Sequence, residues 1–105
     1  MDRKLNITHL PKAHGVDKSS LTNTIERAYD KINQRLPGEM LMDVHFKEFH
    51  GQGAREEVEV KAKVVIGGIH LHSSAKEWDA QKALHGALDA IEKEADKAIH
   101  KKSRG

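Results

Sequence analysis

The sequence predicts an α+β domain: a two-layer sandwich of order β-α-β-β-β-α, with a mainly antiparallel four-stranded sheet and both helices on one face. Three observations predict it. Apolar residues alternate with polar ones in four segments, the period of a half-buried strand. They recur at three and four residues in two longer segments, the period of an amphipathic helix. Each segment has only one apolar side, so a single layer of helices on a single sheet buries all of them. At 105 residues the chain is long enough for one modest core, so residues 1–105 read as one domain with a basic tail at about 100–105.

The first strand is "KLNITHL", with Leu5 and Ile7 on one side and Asn6 and Thr8 on the other; Pro11 and the following "KAHG" end it. From Asp17 the period changes. Leu21, Ile25, Ala28, Ile32 and Leu36 form the stripe of a first helix, which Asp17, Ser19 or Ser20 can cap and Pro37-Gly38 stops. In "EMLMDVHFKEF", Met40, Met42, Val44 and Phe46 alternate with Leu41, Asp43, His45 and Lys47. After the turn material "HGQGA", Val58, Val60, Ala62 and Val64 point inward while Glu57, Glu59, Lys61 and Lys63 point outward. Gly67-Gly68 supplies the positive φ angles of a two-residue hairpin. Ile69 and Leu71 continue the inward face of the fourth strand, with His70 and His72 outward. Asp79 is the N-cap of a second long helix, with Trp78 ahead of it as a staple residue. Leu84, Ala87, Leu88, Ile91, Ala95 and Ile99 form that helix's stripe.

Composition narrows the function classes. Apolar residues make up 37% and charged residues 32%, as in a small domain with a heavily solvated surface. No apolar run is long enough to span a bilayer, so no membrane role is expected. The start "MDRKLNITHL" lacks the apolar core of a secretory signal, and cytoplasm is the default location. With no cysteine, disulfides and thiolate chemistry are excluded. The net charge is only +2, so the distribution of charge matters more than its sum. That distribution is uneven, since "HKKSRG" closes the chain with basic residues and no acid.

The element order, together with three stretches, resembles the ribosome hibernation factors: the short hibernation-promoting factors and the ribosome-associated inhibitors. The first stretch is "LNIT", Leu5 to Thr8. The second is "GGIHLHSSA", Gly67 to Ala75. The third is Asp79 with the helix whose positions Leu84, Ala87, Leu88, Ile91 and Ala95 fall in the family register. The chain departs from that pattern in a few extra residues around "PKAHG", in "WDAQK" before the last helix, and at Ala90, where the family often has a basic residue. The resemblance implies a non-enzyme that occupies the mRNA and tRNA channel of the small ribosomal subunit, with 16S-type rRNA as partner. It implies no cofactor, no metal and no small-molecule substrate. Whether such a protein pairs ribosomes or self-associates is left open.

Lys93, Lys97 and Lys101 are spaced i, i+4, i+8 and line one side of the last helix, a row able to follow phosphates. Lys31, with Arg27 and Arg35 one turn to either side, makes a second such row on the first helix. By the family register Lys31, Lys93 and Lys97 match positions that meet rRNA, and Lys101, Lys102 and Arg104 extend the surface. On pattern alone the lysines are equally ordinary solvated decoration, because Glu92, Glu94 and Asp96 stand beside them. The alternative function is therefore a protein-interaction adaptor of the same fold without RNA binding.

Other residues carry weaker readings. His70 and His72 share a strand face that His45 could join, but no acid or cysteine is placed to complete a metal site. If the outward sheet face meets RNA, His45, Lys47, Lys61, Lys63, His70 and His72 make it a mixed basic patch that Glu57 and Glu59 dilute at one end. Trp78, the single tryptophan, reads as a packing lid more readily than as a base-stacking platform. The β-β-β-α half is similar to a double-stranded RNA-binding fold, without its lysine-rich helix start. No nucleophile is paired with a base at a recognisable spacing, and Gly67-Gly68 is a turn and not a phosphate loop.

Overall fold

The computed structural model describes residues 4–11, 17–36, 38–50 and 56–103, without the side chains at 50, 56 and 99–103. The elements follow in the order β1 (Lys4–Thr8), α1 (Lys18–Arg35), β2 (Met40–His50), β3 (Glu56–Ile66), β4 (Ile69–Glu77) and α2 (Ala80–Ser103). This is the expected α+β order. The turns read at residues 12–15 and 51–54, Pro37, Arg104, and the side chains of Ile99, Lys101 and Lys102 lie outside the described residues.

The four strands form one sheet in sequence order. β1 runs parallel to β2, while β2–β3 and β3–β4 are antiparallel. The parallel pair follows from α1: a helix between two neighbouring strands returns the chain to start the next strand in the same direction. The β3–β4 turn is the two-residue hairpin at Gly67 and Gly68, whose φ angles of 53° and 80° favour glycine at both positions.

Alternation places the core. Met40, Met42, Val44 and Phe46 of β2 are buried, as are Val58, Val60, Ala62, Val64 and Ile66 of β3 and Leu71 of β4. Against them lie Leu21, Ile25, Ala28, Tyr29 and Ile32 of α1, and Leu84, Ala87, Leu88, Ile91 and Ala95 of α2. Leu5 and Ile7 of the edge strand β1 are only half-buried and pack at the margin. No polar or charged residue is buried among the described residues.

Both helices start where their caps dictate. The Asp17 carboxylate accepts from the Ser20 amide at 3.1 Å. The Asp79 carboxylate accepts from the amides of Gln81 at 2.7 Å and Lys82 at 3.2 Å. Such caps satisfy amides that have no partner inside the helix. At the end of α1 the Asn33 amide donates to the carbonyls of Leu36 and Gly38, turning the chain toward β2.

Three polar contacts set the helices on the sheet and on each other. The Tyr29 hydroxyl donates to the Met40 carbonyl at 3.0 Å and accepts from the Lys4 amide at 3.3 Å, tying α1 to β1 and β2. Ser73 of β4 donates to the Ala87 carbonyl of α2 at 2.6 Å. Gln81 of α2 donates to the Thr24 hydroxyl of α1 at 3.1 Å. Close approach of α2 to β4 also depends on Gly86, where an added Cβ would lie 3.1 Å from that of Ala75.

One expectation fails. Trp78 is no lid: it is 55% exposed. β4 continues to Glu77, so Trp78 sits in the bend between that strand and α2, where nothing covers more than about half of it. Alternation along β2 exposes Leu41.

Candidate nucleic-acid interface

The helix layer carries the cations singled out in the sequence, and packing decides how they are grouped. On α1, Arg27, Lys31 and Arg35 repeat every four residues and face α2 beside the buried stripe. On α2, Glu92 and Asp96 also repeat at four and face α1. The result is a pair of cross-helix ion pairs: Lys31 Nζ lies 3.9 Å from a Glu92 oxygen, and Arg35 Nη1 lies 2.7 Å from an Asp96 oxygen. Thr24, Arg27, Lys31, His85, Asp89 and Glu92 line the groove between the helices.

Lys93 and Lys97 each follow one of these acids by one residue, which turns them about 100° further round the helix. Both are exposed, Lys97 at 72% of its side chain. Lys82 stands eleven residues before Lys93, about three turns, and extends the same row toward the N-terminus of α2. Lys97 Nζ approaches Glu94 at 3.4 Å within the helix. Lys101 lies on α2, one turn past Lys97.

The five predicted residues whose side chains are described therefore do not merge into one basic strip. They form two rows, Arg27–Lys31–Arg35 and Lys93–Lys97, with the acids Glu92 and Asp96 between them. The sequence carries the signal for those acids, since both repeat at the spacing of the lysines. It does not say that they turn toward α1. Arg35, Asp96 and Lys31 are well exposed and Glu92 is partly covered; exposed contacts of this kind contribute about 0–1 kcal/mol each. A phosphate can displace them at little cost.

Outside the helix layer, His45, His70 and His72 lie on the open face of the sheet, but strand β3 separates His45 from the other two. Lys61 sits beside His45, and Lys63 beside His72. No group of three potential metal ligands stands together among the described residues. No helix of the described chain is long and apolar enough to cross a membrane.

Comparison with known proteins gives this arrangement a setting. The fold is similar to the N-terminal domain of Protein Y from Thermus thermophilus, with a TM-score of 0.67 at 15% identity, covering 92% of this chain and 98% of that one. It is also similar to a ribosomal subunit interface protein from Coxiella burnetii, with a TM-score of 0.53 at 18% identity, covering 90% and 94%. A search of curated proteins finds no significant match. The family model described as sigma 54 modulation protein / S30EA ribosomal protein matches residues 12–103, nearly the whole chain. The chain belongs to that family, the one its strand-hairpin-helix pattern resembled.

Proposed function

We propose that this chain is a ribosome-associated hibernation factor that binds small-subunit rRNA and blocks the channel used by mRNA and tRNA. The observation that carries the reading is the family match over residues 12–103, which includes both helices and every cation assigned to the interface. The relative from Coxiella burnetii is named a ribosomal subunit interface protein, in keeping with a site on the ribosome. Such a protein works in the cytoplasm and needs no cofactor. No bond is made or broken.

The mechanism is steric occupation held by phosphate contacts. Lys93 and Lys97 reach phosphates directly, with Lys101 continuing their row. Lys31 and Arg35 exchange their carboxylate partners for phosphate oxygens, and Arg27 joins them at the mouth of the groove. Contacts of this kind position a protein on RNA, while RNA shape supplies the selectivity. The body, about 52 × 28 × 16 Å, is a thin slab suited to filling a cleft between rRNA surfaces.

The cross-helix ion pairs favour a second reading, a protein-interaction adaptor whose helix face is electrically balanced. Replacing both Lys93 and Lys97 by Glu separates the two. The exposed changes leave stability within about 0.5 kcal/mol, and on the hibernation reading they abolish co-sedimentation with small subunits. A double variant that sediments like the parent protein would sink the site assignment.

A further inference from the structure

The open face of the sheet, opposite the helices, carries a second set of groups that the helix-face reading does not use. Its cross-strand rows are fixed by register. Asp43, Lys63 and His72 form one row, and His45, Lys61 and Ser74 the next. Lys47, Glu59 and Lys76 form a third. Over these rows four lysines and two histidines face two acids. Lys61 Nζ lies 4.0 Å from a Glu59 oxygen, at the edge of ion-pair range. The first two rows line an open dish of about 520 Å³.

Aromatic surface adjoins this dish at one end. The Lys76 ammonium lies 4.2 Å from the centroid of the Phe49 ring and that of Lys47 lies 5.0 Å away, so the ring holds two cations beside the third row. Trp78 follows Lys76 by two residues and is 55% exposed. From His72 to Trp78 the chain advances about 20 Å at the rise of a strand, room for a few nucleotides.

We infer that this sheet face is a binding surface for single-stranded RNA, with Lys61 and Lys63 on phosphates and Trp78 stacking on a base. The geometry favours an unpaired strand over a duplex. Stacking on an exposed aromatic ring needs a base free of its partner, whereas a duplex offers a protein its grooves and backbone. The charge complements a polyanion, and the row holding Lys47 and Lys76, with Phe49 against both, lies next to the dish along the strands, so one RNA strand can meet both. This surface stands apart from the helix-face site and is tested without ribosomes.

The sole tryptophan makes the test direct. The full chain is titrated with a short oligouridylate, roughly a dozen nucleotides, while Trp78 fluorescence is followed. Saturable quenching is expected. The double variant Lys61→Glu/Lys63→Glu should bind about tenfold or more weakly, with a shallower salt dependence. By anisotropy of a labelled oligonucleotide, Trp78→Leu should lose about fivefold or more. A duplex of equal length should compete poorly. Absence of quenching would overturn the inference. So would quenching that persists undiminished in the Lys61→Glu/Lys63→Glu variant, or equal competition by duplex.

Discussion

The acids between the two cationic rows make the sharpest prediction. If Lys31 and Arg35 meet rRNA, Glu92 and Asp96 compete with phosphate for them, and the double variant Glu92→Gln/Asp96→Asn should bind small subunits more tightly. The distances set an upper bound. At 2.7 Å and 3.9 Å two unit charges attract by about 1.5 and about 1 kcal/mol in bulk water, before salt screening. Measured exposed pairs give less, so about 0.5 kcal/mol per pair is a fair working value. Releasing two pairs then contributes about 1 kcal/mol, close to a fivefold gain in affinity. The folded state loses a similar small amount, which thermal denaturation by circular dichroism would register as a shift of a few degrees. The assay is co-sedimentation with small subunits across a protein titration at two salt concentrations. Weaker binding at unchanged stability would refute the reasoning, because the acids would then be positioning Lys31 and Arg35 for RNA. Unchanged binding would take Lys31 and Arg35 out of the RNA contact altogether.

Three further predictions concern the scaffold. Tyr29→Phe leaves the Met40 carbonyl and the Lys4 amide without their shared hydroxyl, and urea denaturation should show a loss of about 1–3 kcal/mol; a loss below about 0.5 kcal/mol would mean that water replaces it. Asp79→Ala removes the cap from two amides of α2 and should cost about 1 kcal/mol in the same measurement, with an unchanged midpoint counting against the capping role. Gly86→Val drives methyl groups into the contact where even a Cβ would lie 3.1 Å from Ala75. It should lower stability by about 1–3 kcal/mol, and a variant as stable as the parent would show that α2 moves off β4 freely.

Much of the fold was legible because its signals are local. Alternation from Met40 to Phe46 and from Val58 to Val64 identifies which side of each strand is buried, and the caps at Asp17 and Asp79 mark where the helices begin. The parallel β1–β2 pair follows from the helix between them. Contacts that join distant segments were not legible. Tyr29 stands out by no spacing or motif in the sequence, yet its hydroxyl bridges Lys4 and Met40 across the sheet edge. Trp78 precedes a helix cap and so resembles a staple, but β4 runs on to Glu77 and leaves it exposed in the bend before α2. At the candidate site, the cations could be picked out by spacing and by family register. The ion pairs of Lys31 and Arg35 depend on the relative rotation of two helices, which Gly86, the small residues Ala80 and Ala83, and the Gln81–Thr24 hydrogen bond help to set. That rotation has no signature in either helix alone.

The central claim is occupation of the decoding channel through phosphate contacts. Co-sedimentation of the purified protein with small ribosomal subunits, empty or preloaded with mRNA and tRNA, tests it most directly at low and moderate salt. The account predicts binding to empty subunits that falls steeply as salt rises, and exclusion from subunits whose channel is filled. Equal binding to empty and filled subunits, or no association at either salt, would contradict it.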